Sequence, residues 1–222
     1  MENTLFPVFL KTDHLRFLIV GGGNVGLEKA TTLLKQNPKA IIKLVSIELK
    51  PELQSFLKAY PQVEVFTKAF DETDLEAIDL AILATDQTQL NKDIKVLANQ
   101  KGILVNAADQ PKLCDFYLGS IVNKGNLKIA ISTNGKSPVM ARRMREYFTE
   151  VIPDSIENNI DVLNKIRNEH KGNFGEKLET LNQLTSNFTL DRDKNKSRLH
   201  IKKYIGLVIV FFLGFILSSI LN

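Results

Sequence analysis

The sequence predicts an α/β fold in its first half, followed by a strand-rich stretch, a helical stretch and an apolar C-terminal segment. Two observations predict the α/β part: short apolar runs alternate with amphipathic segments, and these runs lack the polar alternation of a half-exposed sheet. Such strands are typical of a parallel sheet covered by helices on both faces. The predicted strands are residues 17–20, 41–47, 63–66, 79–84 and 103–106, and the predicted helices are residues 27–35, 51–60 and 90–100.

A glycine-rich turn joins the first predicted strand to the first predicted helix. Its residues are Gly21, Gly22, Gly23, Asn24, Val25 and Gly26. The order strand, G-x-G-x-x-G and helix is typical of dinucleotide-binding domains of the Rossmann type. In that arrangement Gly21 allows a sharp turn, Gly23 lets a pyrophosphate approach the backbone, and Gly26 lets the helix pack against the strand. The alternative is a tight turn that needs glycine for backbone reasons alone.

Ligands of parallel sheets bind beyond the carboxyl ends of the strands, so the segments that follow the strands should line one crevice. Glu48 lies there, about 20 residues beyond the glycine turn, where an acidic side chain can accept hydrogen bonds from a ribose. This position favours NAD over NADP. The alternative is that Glu48 caps the helix that begins near Pro51. The expected cofactor-binding residues are those of the glycine turn together with Ser46, Ile47, Glu48 and Thr85.

The charge and the cysteine content exclude several classes of site. The net charge of +4 comes from residues 191–203, and the rest of the chain is neutral overall, which argues against a nucleic-acid-binding surface. The single Cys114 excludes an internal disulfide. No metal site is predicted, because no metal-ligand spacing relates the three histidines, which are His14, His170 and His200.

The C-terminal residues 204–221 contain no charged side chain. As a helix they would be about 27 Å long, close to the thickness of a bilayer core. The sequence therefore predicts a single C-terminal transmembrane helix. Because Lys202 and Lys203 precede it, residues 1–203 are predicted to lie at the cytoplasmic face of the cell membrane.

Three further stretches narrow the prediction. They are Ala84-Thr85-Asp86 with Leu90-Asn91, residues 106–112, and residues 132–138 leading into Ala141-Arg142 and Arg145-Glu146. In this order, behind a Gly-Gly-Gly-x-Val turn, they resemble the precorrin-2 dehydrogenase module of siroheme synthase. The resemblance covers about residues 5–185. It implies a homodimer that oxidises precorrin-2 to sirohydrochlorin with NAD, and some members of that family also insert ferrous iron.

The resemblance, the local patterns and the apolar segment together give a domain organisation. Residues 116–122 and 127–132 are predicted to form a β-hairpin, and residues 154–188 are helical in pattern with an interruption at 172–175. The expected parts are an NAD-binding Rossmann domain over 1–113, a dimerisation and substrate region over 114–150, a helical region over 151–188, a basic linker over 189–203 and a transmembrane anchor over 204–221.

The chemistry of the implied reaction requires an acceptor for a hydride and a base for a proton. The nicotinamide takes the hydride, and a carboxylate at the crevice can take the proton. Asp109 follows the fifth strand and matches the catalytic aspartate of that family. The same carboxylate could remove pyrrole protons during iron insertion. On the residue alone, the alternative is that Asp109 is a turn residue before Gln110-Pro111.

Precorrin-2 carries many carboxylates, so hydrogen-bond donors and fixed positive charges would suit it. Ser137-Pro138 predicts a helix start, at which Thr133, Gly135 and Ser137 offer donors. Arg142 and Arg145 share one face of that helix and are candidate substrate-binding residues. The alternative is a solvated basic face that pairs with neighbouring glutamates.

A function of a different class would use the same glycine turn. A membrane-tethered regulatory module that senses NAD(H) without catalysis would need the Rossmann domain and the anchor. It would have no need of the block of motifs from Asn106 to Arg145, and this block favours the dehydrogenase.

Overall fold

A computed structural model describes residues 3–169 and 174–190 of the chain. Five parallel strands form one sheet in the order β3-β2-β1-β4-β5, and two later strands pair as β6 and β7. The strands are β1 (Arg16–Gly22), β2 (Ile41–Leu49), β3 (Glu64–Thr67), β4 (Leu80–Leu83), β5 (Leu104–Ala107), β6 (Ser120–Lys124) and β7 (Leu127–Ile131). The predicted parallel sheet is therefore confirmed.

Six α-helices connect and follow these strands. They are α1 (Asn24–Gln36), α2 (Pro51–Leu57), α3 (Thr88–Gln100), α4 (Pro138–Val151), α5 (Ile156–Glu169) and α6 (Phe174–Leu190). Two short 3₁₀ turns, Glu72–Leu75 and Pro111–Leu113, complete the described elements. The chain divides into two compact units. One holds the sheet with α1–α4, and the other contains α5, α6 and the hairpin tip Lys124–Leu127.

The apolar strands are buried on both faces, as their sequence predicts. Phe17 and Ile19 of β1 belong to one core cluster, and Leu18 and Val20 of the same strand belong to a second one. These four side chains are at most 3% exposed. Because neighbouring residues of a strand point to opposite faces, this pattern requires cover on both sides of the sheet.

The pairing of β1 with β2 is irregular at the carboxyl end. Val20 aligns with Val45, but Gly22 aligns with Leu49, so three residues of β2 stand opposite the single Gly21. Those three residues are Ser46, Ile47 and Glu48. This bulge is positioned where β1 ends and the glycine turn begins.

The segment before β6 differs from the prediction. The strand was expected over 116–122 but begins at Ser120. Phe116 and Leu118 pack against the first core cluster instead, and the Phe116 carbonyl accepts a hydrogen bond of 2.9 Å from the Asn106 amide. These apolar residues therefore serve packing against the sheet rather than strand pairing.

The transmembrane helix in the predicted fold class requires correction. No helix among residues 3–169 and 174–190 is long and apolar enough to cross a membrane. The longest of these helices, α6, has 17 residues and carries Glu176, Lys177 and Glu179 near its start, whereas a span needs about 20 mostly apolar residues. The predicted anchor over 204–221 lies outside the described residues. The described structure therefore does not support the predicted anchor or the membrane location derived from it.

Candidate functional site

An open cleft of about 950 Å³ lies at the carboxyl ends of the strands. Its wall includes the glycine turn after β1, the bulge of β2, the segment after β3, Thr85 after β4 and Asp109 after β5. This position agrees with the general rule that parallel sheets bind ligands beyond their carboxyl ends.

Three glycines of the turn are required by close contacts within the protein. A Cβ atom on Gly21 would come within 2.5 Å of the Ala84 carbonyl oxygen, and Gly21 also has a positive φ of 114°. A Cβ on Gly22 would overlap the carbonyl oxygen of Glu48, and one on Gly26 would overlap the carbonyl oxygen of Gly21. At these three positions the backbone itself requires glycine, as the alternative interpretation of the turn predicts.

Gly23 differs from its neighbours. A Cβ atom at this position would meet no protein atom within 4 Å, and its φ of −84° is available to any residue. The protein itself therefore does not require glycine here. The space beside Gly23 belongs to the cleft, at the start of α1, where unpaired backbone N–H groups and the helix dipole favour an anion.

The glycine turn is fixed to the residue that precedes α2. The Lys50 backbone N–H donates to the Gly22 carbonyl at 2.9 Å, and the Lys50 ammonium donates to Asn24 Oδ1 at 2.6 Å. Lys50 therefore holds the β2 bulge and the beginning of α1 together. No sequence motif indicated this residue.

The β2 bulge presents Ile47 and Glu48 at the cleft. Ile47 is 68% exposed, and the Ser46 hydroxyl donates to the Glu48 carbonyl at 2.7 Å. Within residues 3–169 and 174–190, the Glu48 carboxylate has no hydrogen-bond or ion-pair partner, and α2 begins after Lys50 without a side-chain cap. The alternative that Glu48 caps α2 is therefore wrong.

Thr85 is fixed by a buried amide. The Thr85 hydroxyl donates to Asn91 Oδ1 at 2.7 Å, and Asn91 Nδ2 donates back to the Thr85 carbonyl at 3.1 Å. Asn91 is fully buried. The Thr85 hydroxyl also accepts the Gln87 backbone N–H at 3.3 Å, so this loop is tied to the first turn of α3.

Asp109 stands at the end of β5 with a positive φ of 57°. The strand end below it is held by Cys114, whose sulfur accepts the Ala107 N–H at 3.3 Å and contacts the Asn106 amide at 3.6 Å. Burial raises the pKa of the Cys114 thiol. Asp109 is exposed at the cleft, and the buried Oε1 of the adjacent Gln110 has no hydrogen-bond partner in the described structure.

The cleft also contains residues that the sequence reasoning missed. Lys68, Ala69 and Phe70 line it after β3. Their position in the sequence could have indicated them, because the carboxyl ends of all strands in a parallel sheet lie at the same edge, and the segment after β3 starts there. The predicted crevice included the segments after the other four strands only.

The five candidate substrate-binding residues do not line the cleft: Thr133, Gly135, Ser137, Arg142 and Arg145. The Thr133 hydroxyl accepts the Ser137 N–H at 3.1 Å, and the Ser137 hydroxyl accepts the Met140 N–H at 3.2 Å as the cap of α4. Arg142 lies 3.8 Å from Glu146. Arg145 has no side-chain partner among the residues that the structure describes. Thr133, Gly135 and Ser137 therefore lie in the turn before α4, and the two arginines lie on α4 itself.

The geometry of the cleft fits a dinucleotide. The open space at Gly23 is a cradle that a side chain would fill, it lies at the start of α1, and Glu48 lines the same cleft. A pyrophosphate at the helix start and a ribose at Glu48 are the two contacts that such a cofactor needs. The fold and the cleft are those of a Rossmann-type NAD(P)-binding domain.

Comparisons with known proteins agree with this class. A family model described as putative NAD(P)-binding matches residues 8–120, and one described as the central part of sirohaem biosynthesis proteins matches residues 124–148. The chain belongs to the NAD(P)-binding family of sirohaem biosynthesis proteins.

Individual relatives support the same family. Siroheme synthases from Thioalkalivibrio sulfidiphilus and Nitrosococcus oceani are 38% and 36% identical, each over 67% of this chain. The matches make up only 30% and 31% of those two proteins, so the chain spans about a third of their length. A solved structure named SirC, precorrin-2 dehydrogenase, has a TM-score of 0.65 over 93% of this chain and 98% of its own, and at 24% identity it shows a shared fold.

Proposed function

We propose that the chain oxidises precorrin-2 to sirohydrochlorin with NAD as the hydride acceptor. The observation that carries this proposal is the position of Asp109, a carboxylate with no partner among the described residues, on the same cleft as the glycine turn. The siroheme synthases and the structure of SirC, precorrin-2 dehydrogenase, supply the substrate class. The bound nicotinamide supplies a two-electron acceptor for the hydride.

Asp109 is proposed as the base of this reaction. Precorrin-2 loses a hydride and a proton, and a carboxylate within hydrogen-bond reach of the ring system can accept the proton. The left-handed backbone at Asp109 projects the residue from the end of β5, while Cys114 and Asn106 hold the strand beneath it. The carboxylate is thus carried by a fixed support and exposed to the cleft.

The preference for NAD over NADP is proposed to rest on Glu48. Its carboxylate is exposed at the cleft and unpaired within the described ranges. A carboxylate can accept hydrogen bonds from both ribose hydroxyls, and it repels the 2′-phosphate of NADP. The remaining predicted cofactor residues, which are Ser46, Ile47, Thr85 and the glycine turn, line the cleft except for Gly26, which packs beneath it.

The carboxylates of precorrin-2 are proposed to bind at the turn before α4. Thr133 and Ser137 use their hydroxyl oxygens as acceptors within this turn, so the donors that remain are hydroxyl hydrogens and backbone N–H groups near Gly135. Arg142 and Arg145 lie on the following helix and add positive charge. A charge-assisted hydrogen bond to a carboxylate is about twice as strong as a neutral one.

A homodimer is proposed on the surface of α4. Met140, Met144, Tyr147 and Val151 follow each other at helical spacing, and each is between 36% and 55% exposed. Such a stripe is typical of a helix that packs against another element. A second copy of the chain is the proposed partner.

We also propose that the chain inserts ferrous iron into sirohydrochlorin, with the iron as a substrate. The pyrrole nitrogens must lose two protons when the metal enters, and Asp109 is the candidate base for that step as well. The described part of the chain contains no cluster of three His, Cys, Asp or Glu that could hold a metal. The tetrapyrrole itself supplies the four nitrogen ligands.

An anaerobic absorbance assay tests the proposed reaction. Purified protein is mixed with enzymatically made precorrin-2 and NAD, and ferrous iron is added afterwards. We expect the sirohydrochlorin spectrum to appear only with NAD, and an accelerated shift to the siroheme spectrum on adding iron. NAD binding without any spectral change would overturn the dehydrogenase and favour a module that only senses NAD(H).

The Asp109→Asn variant tests the base. Asparagine also tolerates a positive φ, so the fold and NAD binding should persist while turnover falls by about 100-fold or more. Asp93→Asn is the matched control, because Asp93 is an exposed acid of α3 that does not line the cleft, and this variant should retain near wild-type turnover. Full activity of Asp109→Asn would remove Asp109 from the mechanism.

A further inference from the structure

One member of a cluster of four charged residues lines the cleft. The cluster consists of Lys43, Lys68, Asp71 and Asp74. Lys68 lines the cleft after β3, and its backbone N–H donates to the Ser46 carbonyl at 3.0 Å. This hydrogen bond places Lys68 next to the β2 bulge that carries Glu48. On the β2 and β3 side of the cleft, Lys68 and Glu48 are the two charged residues of its described wall.

The ammonium of Lys68 is held by two carboxylates. It lies 2.8 Å from Asp74 Oδ2 and also contacts Asp71. Asp74 is only 1% exposed, and its second oxygen lies 2.9 Å from the ammonium of Lys43. We call the group of Lys68, Asp71 and Asp74 the lysine clamp.

The two aspartates are fixed by the 3₁₀ turn that they begin. Asp71 accepts the Thr73 N–H at 2.9 Å, and Asp74 accepts the Asp71 N–H at 3.0 Å, which together form a capping box. A carboxylate fixed in this way loses little side-chain freedom when it binds a lysine. The clamp is therefore a built feature of the fold rather than a chance surface contact.

The charges within the cluster cancel. Two lysines face two aspartates, so Lys68 contributes no net positive charge to this side of the cleft. The Lys68 ammonium donates hydrogen bonds to Asp71 and to Asp74, and these bonds, that to Asp71 first, raise the pKa of Lys68, so its ammonium stays charged. Glu48 carries the one charge here that no described residue compensates.

We propose that the lysine clamp is a determinant of cofactor choice, because it withholds the Lys68 ammonium from a ribose 2′-phosphate. A free lysine beside the ribose would bind that phosphate and favour NADP. With Lys68 bound to Asp71 and Asp74, the repulsion from Glu48 decides the choice. This inference rests on the proposed function, since it requires the adenosine ribose to lie at Glu48.

The Asp71→Asn variant tests the clamp by direct cofactor binding. Asparagine keeps the oxygen that caps the 3₁₀ turn, so the loop should retain its structure while Lys68 loses one of its two partners. We expect NADP⁺ affinity to rise about tenfold, as a new hydrogen bond between charged groups would give, while NAD⁺ affinity changes by less than about twofold. Isothermal titration calorimetry measures both constants without needing turnover.

Two further variants isolate Lys68. Adding Lys68→Gln to Asp71→Asn should abolish the gain in NADP⁺ affinity. Glu72→Gln is the matched control, because it removes a neighbouring acid that pairs with Lys101 at 3.4 Å instead of Lys68. Its NADP⁺ affinity should rise by less than about twofold, as expected for a screened surface charge.

The outcomes separate this inference from the proposed function. NAD⁺ binding with no gain of NADP⁺ affinity in Asp71→Asn would overturn the clamp and leave the proposed function intact. An equal gain in Glu72→Gln would also overturn it, since the effect would then be general electrostatics. If the wild-type protein binds neither dinucleotide, the proposed use of NAD fails and the clamp proposal fails with it.

Discussion

Asp109 combines an exposed carboxylate at the cleft with an unusual backbone conformation. Its φ of 57° lies in the left-handed region, which most residues avoid at a cost of about 1–2 kcal/mol. Aspartate reaches this region more readily than most residues because its short polar side chain can interact with the nearby backbone. The conformation turns the chain sharply at the end of β5, so the carboxylate stands at the cleft instead of continuing along the strand.

Alanine substitutions in the glycine turn should affect stability at one position and NAD binding at another. Gly26→Ala should lower the free energy of unfolding by about 2 kcal/mol or more, because the added Cβ overlaps the Gly21 carbonyl oxygen. Gly23→Ala should change stability by less than about 1 kcal/mol, since its Cβ meets no protein atom. It should nevertheless weaken NAD binding about tenfold by filling the pyrophosphate space.

Urea unfolding and calorimetric binding measure these two effects. Tight NAD binding by Gly23→Ala would contradict the position of the pyrophosphate. A fully stable Gly26→Ala protein would contradict the packing of α1 on β1.

Residues of the candidate site could be predicted from the sequence when their motif lies within a short stretch of the chain. The glycine turn and Asp109 each follow a predicted strand, so their place at the cleft could be predicted from the parallel sheet alone. Lys68 could not be recognised as a clamped residue, because its partners Asp71 and Asp74 become neighbours only through a 3₁₀ turn that has no hydrophobic period. The role of Glu48 as a cap was excluded only by the observed start of α2.

At the scale of elements, the 3₁₀ turn Glu72–Leu75 is held by charge. Hydrogen bonds from Lys68 and Thr73 lower the pKa of Asp71 to about 2, below its ordinary value of 3.8. Burial alone would raise the pKa of Asp74, but hydrogen bonds from the Asp71 N–H, Lys68 and Lys43 outweigh burial and lower it. Both carboxylates therefore stabilise the fold in their ionised form.

The lowered pKa of Asp71 predicts that its contribution to the free energy of unfolding depends on pH. The contribution of Asp71 is fully present above pH 3.8 and is lost as the pH falls through about 2. Asp71→Asn should therefore be less stable than the wild type at pH 6, and the difference should shrink toward zero near pH 2. Urea midpoints at four pH values between 6 and 2 measure this, and Glu72→Gln should track the wild type. A difference that does not depend on pH would contradict the ionic role of Asp71.

The predicted ends of strands and helices differ most from the observed ends where tertiary contacts determine the backbone conformation. The β6 strand begins later than its apolar pattern predicts, because Phe116 and Leu118 pack on the sheet and the Phe116 carbonyl bonds to Asn106. By contrast, α4 begins at the predicted place, since Ser137 and Pro138 encode its cap locally.

For the whole molecule, the exposed stripe on α4 predicts the oligomeric state. Wild-type protein should be a dimer in solution, and Met144→Lys should dissociate it, because the variant places a charge in the centre of the apolar stripe. Thr149→Lys is the matched control, since position 149 lies on the opposite side of α4. Light scattering after size exclusion measures the mass. A monomeric wild-type protein, or a dimer that survives Met144→Lys, would contradict this interface.

The bulge in β2 has a consequence for how this family can diversify. Three residues of β2 stand opposite one of β1, and the two strands end just beyond the bulge at the pair Gly22 and Leu49. Substitutions at Ile47 and Glu48 should therefore alter the surface proposed to meet the adenosine without shifting the register of the sheet. On the proposed cofactor position, cofactor preference can change here without a cost in stability, whereas side chains added at Gly21, Gly22 or Gly26 lower the stability of the fold because they overlap backbone atoms.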